Sequence, residues 1–281
     1  MKREPISPTK FQRSFATSKA RTKTAVEACI GLPSPEAIHE ARIATRKLTT
    51  IVSLMPKRFR RDDRTVKAMD AFRLFYTDCA KIRDIDVLTS ALSKDVANEK
   101  VKNIVEGLKA KRSVLLEGVF KSGVETSRLA LPGFTHNTRR RLGKRLNKLL
   151  DRRARRAVEL YHIAVGGDEK SVELHKFRKE CRHILYLLNF AKENSGVKSV
   201  KTELEDAKEK LGSIRDDDLL LNLFKNMHET VPIAKIVAAV SADRLAKYNN
   251  FFSVRGIRGR NPRLIEAVMR LTGAPTNSRT H

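Results

Sequence analysis

The chain has 281 residues, 41% of them hydrophobic and 32% charged, enough apolar material for one large core or two similar ones. Lys and Arg outnumber Asp and Glu by 58 to 32, a net charge of +26 that sets up a field of several kT attracting anions. Cys29, Cys79 and Cys181 are an odd count, far apart and without a CxxC, which excludes a disulfide framework or zinc site of ordinary spacing and fits a reducing compartment.

No apolar run follows Met1-Lys2-Arg3-Glu4-Pro5, so neither a signal peptide nor a membrane span is expected, and a cytoplasmic location follows. Helical periodicity then dominates the chain, and no segment shows the alternating β-branched pattern of strands. Ser34-Pro35-Glu36 is a helix start, with a capping serine, proline at the first helical position and an acid in the first turn. Pro56 stops that helix. Helices are expected over residues 9–30, 35–55, 60–82, 84–94 and 97–122 of the first half. Leu131-Pro132-Gly133-Phe134 interrupts, and a second set follows over 137–164, 170–193, 198–212, 216–229 and 232–252. The tail from Ser253 is basic, with a short helix expected over 262–272 and disorder from Thr276 to His281. The expected fold is all-α, with an N-terminal helical half at 1–135, a C-terminal half at 136–252 and a basic, partly disordered tail at 253–281.

The two sets repeat each other. His39-Glu40-Ala41-Arg42-Ile43-Ala44-Thr45-Arg46-Lys47 and His175-Lys176-Phe177-Arg178-Lys179-Glu180-Cys181-Arg182-His183 both read His-x-x-Arg-x-x-x-Arg-basic. Some forty residues later, Ile82-Arg83-Asp84-Ile85-Asp86-Val87-Leu88 and Ile214-Arg215-Asp216-Asp217-Asp218-Leu219-Leu220 both read Ile-Arg-Asp-x-Asp-x-Leu. Two motifs repeated in the same order at similar spacing are not an accident of composition.

At about 100° per residue, His39, Arg42 and Arg46 share one stripe of their helix, and His175, Arg178 and Arg182 share one stripe of theirs. Arginine offers a planar, always charged fork for phosphate. Histidine adds a donor whose charge switches near neutral pH. Such a rail suits a ligand with phosphates at regular intervals, whereas a single stripe would read as a solvated helix face. Asp84 and Asp216 follow expected helix ends and read as caps of the next helix. Asp86 and Asp218 fall in its first turn, able to orient Arg83, Arg215 or a histidine. Paired aspartates can also bind Mg²⁺, but no metal or cofactor is expected. Arg141, Arg145, Lys148 and Arg152 share the exposed face of an amphipathic helix whose buried side is Leu142, Leu146, Leu149 and Leu150, either lining the site or guiding anions to it.

There is no Gly-rich phosphate loop, no HExxH and no recognisable nucleophile–base pairing, so a binding module rather than an enzyme is expected. The chain has no Trp and 6% aromatics, phosphate binders without the exposed aromatics on which single-stranded nucleic acid stacks.

On the doubled motifs, from about residue 10 to 252, the sequence resembles the CHAD domain, a conserved histidine α-helical domain. The resemblance implies two helical bundles related by an internal pseudo-two-fold, with a basic groove or pore between them. It also implies binding of long-chain inorganic polyphosphate and targeting to polyphosphate granules. It carries a ligand role onto His39, Arg42, Arg46, Lys47, Arg73, Arg83, His175, Arg178, Lys179, Arg182 and Arg215, and Tyr186 matches an aromatic position of the second repeat. Thr49 and Leu185 stand where the family often has another arginine. The Glu-x-Glu-x-Lys motif of the triphosphate-tunnel enzymes often fused to this domain is absent, since Glu203-Leu204-Glu205 runs on to Asp206-Ala207. A nucleic-acid-binding basic protein, with weak RNA or DNA affinity, and a Mg²⁺-dependent phosphohydrolase are the alternatives.

Overall fold

The computed structural model describes residues 4–93, 98–134, 139–225, 227, 231–253 and 262–271. Among them it is all-α. The helices are α1 (Pro8–Gly31), α2 (Pro35–Leu54), α3 (Lys57–Arg60), α4 (Asp63–Leu92), α5 (Glu99–Arg128), α6 (Arg139–Ala164), α7 (Ser171–Leu188), α8 (Ser195–Phe224), α9 (Val231–Phe252) and α10 (Pro262–Met269). The chain divides into two compact units, one spanning Ser7–Leu142 and one spanning Gly143–His281 together with Met1–Ile6. Most of the basic tail, including the expected disorder from Thr276 onward, lies outside the described residues.

Local chemistry accounts for the helix starts. The Ser7 hydroxyl accepts from the Lys10 amide and the Ser34 hydroxyl from the Ala37 amide, each with proline in the first turn of its helix. Asp62, Asn98 and Asn194 cap α4, α5 and α8 in the same way. Each cap satisfies amides that have no partner inside the helix. Helix α2 ends at Leu54, just ahead of Pro56.

Two expected breaks are absent. The helices expected at 60–82 and 84–94 are joined through residue 83 in one helix, α4 (Asp63–Leu92), and those expected at 198–212 and 216–229 are joined through 213–215 in one helix, α8 (Ser195–Phe224). Asp84 and Asp216 therefore sit inside helices and cap nothing. The apolar stripe runs on through both positions, with Phe75, Cys79, Ile82, Ile85, Leu88 and Leu92 buried along α4 and Leu204, Ala207, Leu211, Ile214 and Leu220 along α8. Burial of each large side chain stabilises by about 1.5–3 kcal/mol, which outweighs the few tenths by which aspartate disfavours a helix interior. Two smaller differences stand at helix ends: α5 runs on to Arg128, and α7 stops at Leu188.

In the unit formed by Ser7–Leu142, α1, α2, α4 and α5 pack on one another around Val26, Cys29, Ile38, Ala41, Phe75, Cys79, Ile82 and Val119. Helix α5 comes close at Gly123, where a Cβ would stand 2.9 Å from Ile30 Cγ1 and 3.2 Å from the Phe75 ring. In the other unit α8 packs against α7, α9 and α10. An aromatic cluster of Tyr161, Phe177, Tyr248, Phe251 and Phe252 joins α6, α7 and α9, and the buried Tyr248 hydroxyl donates to the Ala164 carbonyl at 2.7 Å. The segment leading into α1 returns to this second unit, its backbone bonding Phe190 and Lys192.

Candidate anion-binding site

Each unit turns the apolar stripe of its rail helix inward. On α2, Ile38, Ala41, Ala44, Leu48 and Ile51 are buried; on α7, Leu174, Phe177, Cys181, Ile184 and Leu188 are. The opposite stripe of each helix carries the cations. The histidine is the fifth residue of its helix in both cases.

On α2, His39 is exposed, and Arg42, Arg46 and Lys47 are half-buried. The guanidiniums of Arg42 and Arg46 lie 5.2 and 5.4 Å from the centre of the Tyr76 ring on α4, and Arg46 Nη2 donates to the Tyr76 hydroxyl at 3.1 Å. The ring's negative face holds the two cations side by side. Arg42 Nε is buried without a hydrogen-bond partner among the described residues. Although His39 stands at the surface, the neighbours crowding its ring strip away enough water to lower its pKa, and the charges of Arg83 on α4 and of Arg42 and Arg46 lower it further, with Glu40 opposing them. The structure therefore gathers His39, Arg42, Arg46 and Arg83 into one cationic cluster. Arg73 stands on the exposed face of α4, paired with Asp70 at 2.9 Å.

On α7, His175 has its Nδ1 buried with no hydrogen-bond partner among the described residues. Its pKa is pulled down to about 3, by burial first and then by the charges of Lys179, Arg215, Arg178 and Arg182. The four cations of the two repeated motifs in this half thus act on the one imidazole. The Arg178 guanidinium lies over Gly212 of α8, 3.5 Å from where a Cβ would stand. Lys179 is exposed. Glu180, the acid within the motif, is held by Arg153 of α6 at 2.8 Å. Of the positions that depart from the family pattern, Leu185 is buried, whereas Thr49 is exposed.

Helix α6 buries Leu142, Leu146, Leu149 and Leu150 and exposes Arg141, Lys148 and Arg152, with Arg145 half-buried. The division between the units falls between Leu142 and Gly143, so Arg141 belongs to one and Arg145, Lys148 and Arg152 to the other.

The aspartates of the second motif have partners that the sequence did not suggest. Arg112 Nε of α5 donates to Asp86 Oδ1 at 2.7 Å, and its Nη2 donates to the Pro33 carbonyl at 2.7 Å. Arg244 Nε of α9 donates to Asp218 Oδ1 at 2.6 Å, and its Nη2 donates to the Asp168 carbonyl at 2.7 Å. Asp86 and Asp218 therefore engage these arginines of α5 and α9. Each arginine follows its aspartate by 26 residues, a third repeated spacing that was open to view in the sequence. Asp217 is held by Lys247 at 2.8 Å, and burial raises its pKa. Tyr76 was also missed, although it stands two helical turns before Arg83 on the same face of α4.

Among the described residues no group of three or more His, Cys, Asp or Glu side chains could hold a metal ion, and no helix is long and apolar enough to cross a membrane.

No curated protein matches the chain. Among solved structures, the CHAD domain from the plant Ricinus communis matches with a TM-score of 0.54 and 16% identity, covering 98% of this chain and 94% of that one. Residues 20–225 match the family described as CHAD domain. That span contains both rails, both Arg-Asp-x-Asp motifs and most of the chain, which therefore belongs to the CHAD domain family.

Proposed function

We propose that the protein is a non-enzymatic receptor for long-chain inorganic polyphosphate, held along its two histidine–arginine rails. The observation that carries this reading is the field at His175. Four cations converge on one partly buried imidazole, and burial first, then their charges, hold it neutral far below its ordinary titration range. Such crowding destabilises a protein unless it serves an anion, and a bound phosphate would relieve it. The matched cluster around His39 on α2 gives a linear polyanion a second place to engage. Targeting to polyphosphate granules in the cytoplasm follows from the same reading.

Two arrangements favour a binder of phosphate over its alternatives. The aromatic at the α2 rail, Tyr76, is covered by two guanidiniums, so it is not offered to a base. Of the pairs that a Mg²⁺-dependent hydrolase would use, Asp84/Asp86 and Asp216/Asp218, one carboxylate in each is engaged by an arginine: Asp86 by Arg112 and Asp218 by Arg244.

Competition at physiological salt tests the reading. Polyphosphate should displace single-stranded RNA at equal phosphate concentration, and RNA should displace polyphosphate poorly. Preferential retention of RNA would replace this proposal by the nucleic-acid reading. Phosphate release that depends on added Mg²⁺ would replace it by the hydrolase.

A further inference from the structure

We propose that Arg112 and Arg244 are positioning residues: forks that set the start of each rail helix against the arginine facing its histidine. The inference rests on the rails' being the binding site, and it is carried by a coincidence of atoms. In both units Nε takes the aspartate and Nη2 takes a backbone carbonyl. That carbonyl belongs to the segment entering the rail helix, Pro33 before α2 and Asp168 before α7. Arg244 is itself buried, and both aspartates are.

The placement of the aspartate gives the fork its purpose. Asp86 lies one turn beyond Arg83 on α4, and Asp218 one turn beyond Arg215 on α8. One face of the helix thus carries two grips. The arginine presents its charge to the histidine, while the aspartate, through the fork, holds the backbone from which the histidine's helix begins. A sliding of α2 along α4 would strain the Pro33 bond as it moved His39 relative to Arg83. Only arginine can do this, because its planar guanidinium donates in two fixed directions, whereas a lysine ammonium is a point charge.

The test uses the full chain and two kinds of variant in each unit. Arg112→Lys keeps the charge beside Asp86 but loses the second arm. Asp86→Leu with Arg112→Met removes the ion pair, leaves the net charge unchanged and fills the space with apolar atoms, a replacement that buried pairs often tolerate. Arg244→Lys and Asp218→Leu with Arg244→Met are the counterparts. Imidazole titrations of His39 and His175 are followed by NMR, with the melting temperature and the Kd for long-chain polyphosphate.

Both Arg112 variants should raise the His39 midpoint towards its ordinary value and leave His175 unmoved. The Arg244 variants should do the reverse. Each should raise the Kd several-fold even where the melting temperature is close to that of the parent. Neither exchange alters the charges that face the histidines: Arg83, Arg42, Arg46 and Glu40 around His39, and Lys179, Arg215, Arg178 and Arg182 around His175. A moved midpoint therefore reports position. If the double variant does not fold, Arg112→Lys decides alone. A folded Arg112→Lys protein whose midpoints and Kd equal the parent's overturns the proposal. If the parent does not bind polyphosphate, the binding reading falls, while the titrations still decide whether the forks position the histidines.

Discussion

His175 shows how far a local field can displace a residue from its usual chemistry. A free imidazole titrates near pH ~6.5, and here burial and four cations take it to about 3. Linkage then fixes the sign of its effect on stability. The unfolded chain binds a proton on this residue below its ordinary pKa, and the folded protein does not until near pH 3. The contribution is therefore complete above pH ~6.5 and is lost as pH falls from there towards 3. His175→Gln removes the titrating group and keeps a donor. Urea titrations at pH 7 and pH 4.5 should show a smaller loss of stability on acidification for the variant than for the parent. Equal losses would mean that the imidazole is not held neutral. Binding carries the opposite sign. A phosphate beside His175 favours the imidazolium, so polyphosphate should be bound with uptake of protons and more tightly at lower pH. Calorimetry in two buffers of different ionisation enthalpy should detect that uptake, and His175→Gln should reduce it. On the proposed function the arginines should carry the larger share of affinity at pH 7. Arg46→Ala and Arg182→Ala should each weaken polyphosphate binding by about 1.5–3 kcal/mol, the range of a hydrogen bond to a charged group, measured as the change in Kd.

Helices were legible in the sequence to the degree that their punctuation was chemically unambiguous. Ser34-Pro35 and Pro56 bound α2 because a hydroxyl cap and a missing amide have one reading each. The Arg-Asp-x-Asp motif has two. An aspartate after a run of apolar residues is a good cap, and it is also tolerated within a helix whose buried stripe continues beneath it. The stripe decided the matter in α4 and α8. Arg112 and Arg244 escaped notice for a related reason, since an isolated arginine on a basic helix carries no sign of what it will meet across the core. The rail histidines and arginines could be grouped from the sequence because periodicity aligns them within one helix, whereas the forks join residues on different helices. Close approach is likewise invisible in the sequence. Gly123 reads as a mild helix defect, but it is where α5 meets Ile30 and Phe75. Gly123→Val should therefore destabilise the protein by about 1–3 kcal/mol through overpacking, although valine is the better helix former. A melting temperature at or above the parent's would show that the two side chains give way.

At the scale of the whole molecule, the proposed function makes net charge a background and the rails the site, and ionic strength separates the two. A charge of +26 attracts any polyanion, and at low salt RNA, DNA and polyphosphate should all bind. Counterion release then imposes a slope of log K against log salt set by the number of phosphates neutralised, about −0.7 each by analogy with single-stranded nucleic acid. Diffuse attraction fades as the screening length falls to about 8 Å at physiological ionic strength. Ion pairs made by arginines fixed over Tyr76 or packed against Gly212 lie within that length and persist. Polyphosphate should therefore retain measurable affinity at salt concentrations that abolish RNA binding. Replacing Arg46 and Arg182 together should make its slope shallower by about 0.7 for each phosphate that is no longer neutralised. Replacing a pair of exposed lysines outside the repeated motifs, such as Lys109 and Lys198, removes as much charge and should leave the slope nearly unchanged. If both double variants shift the curve equally, the charge acts as a cloud and the rails are not a site. If the rail variant alone flattens it, the phosphates are bound where the repeated motifs stand.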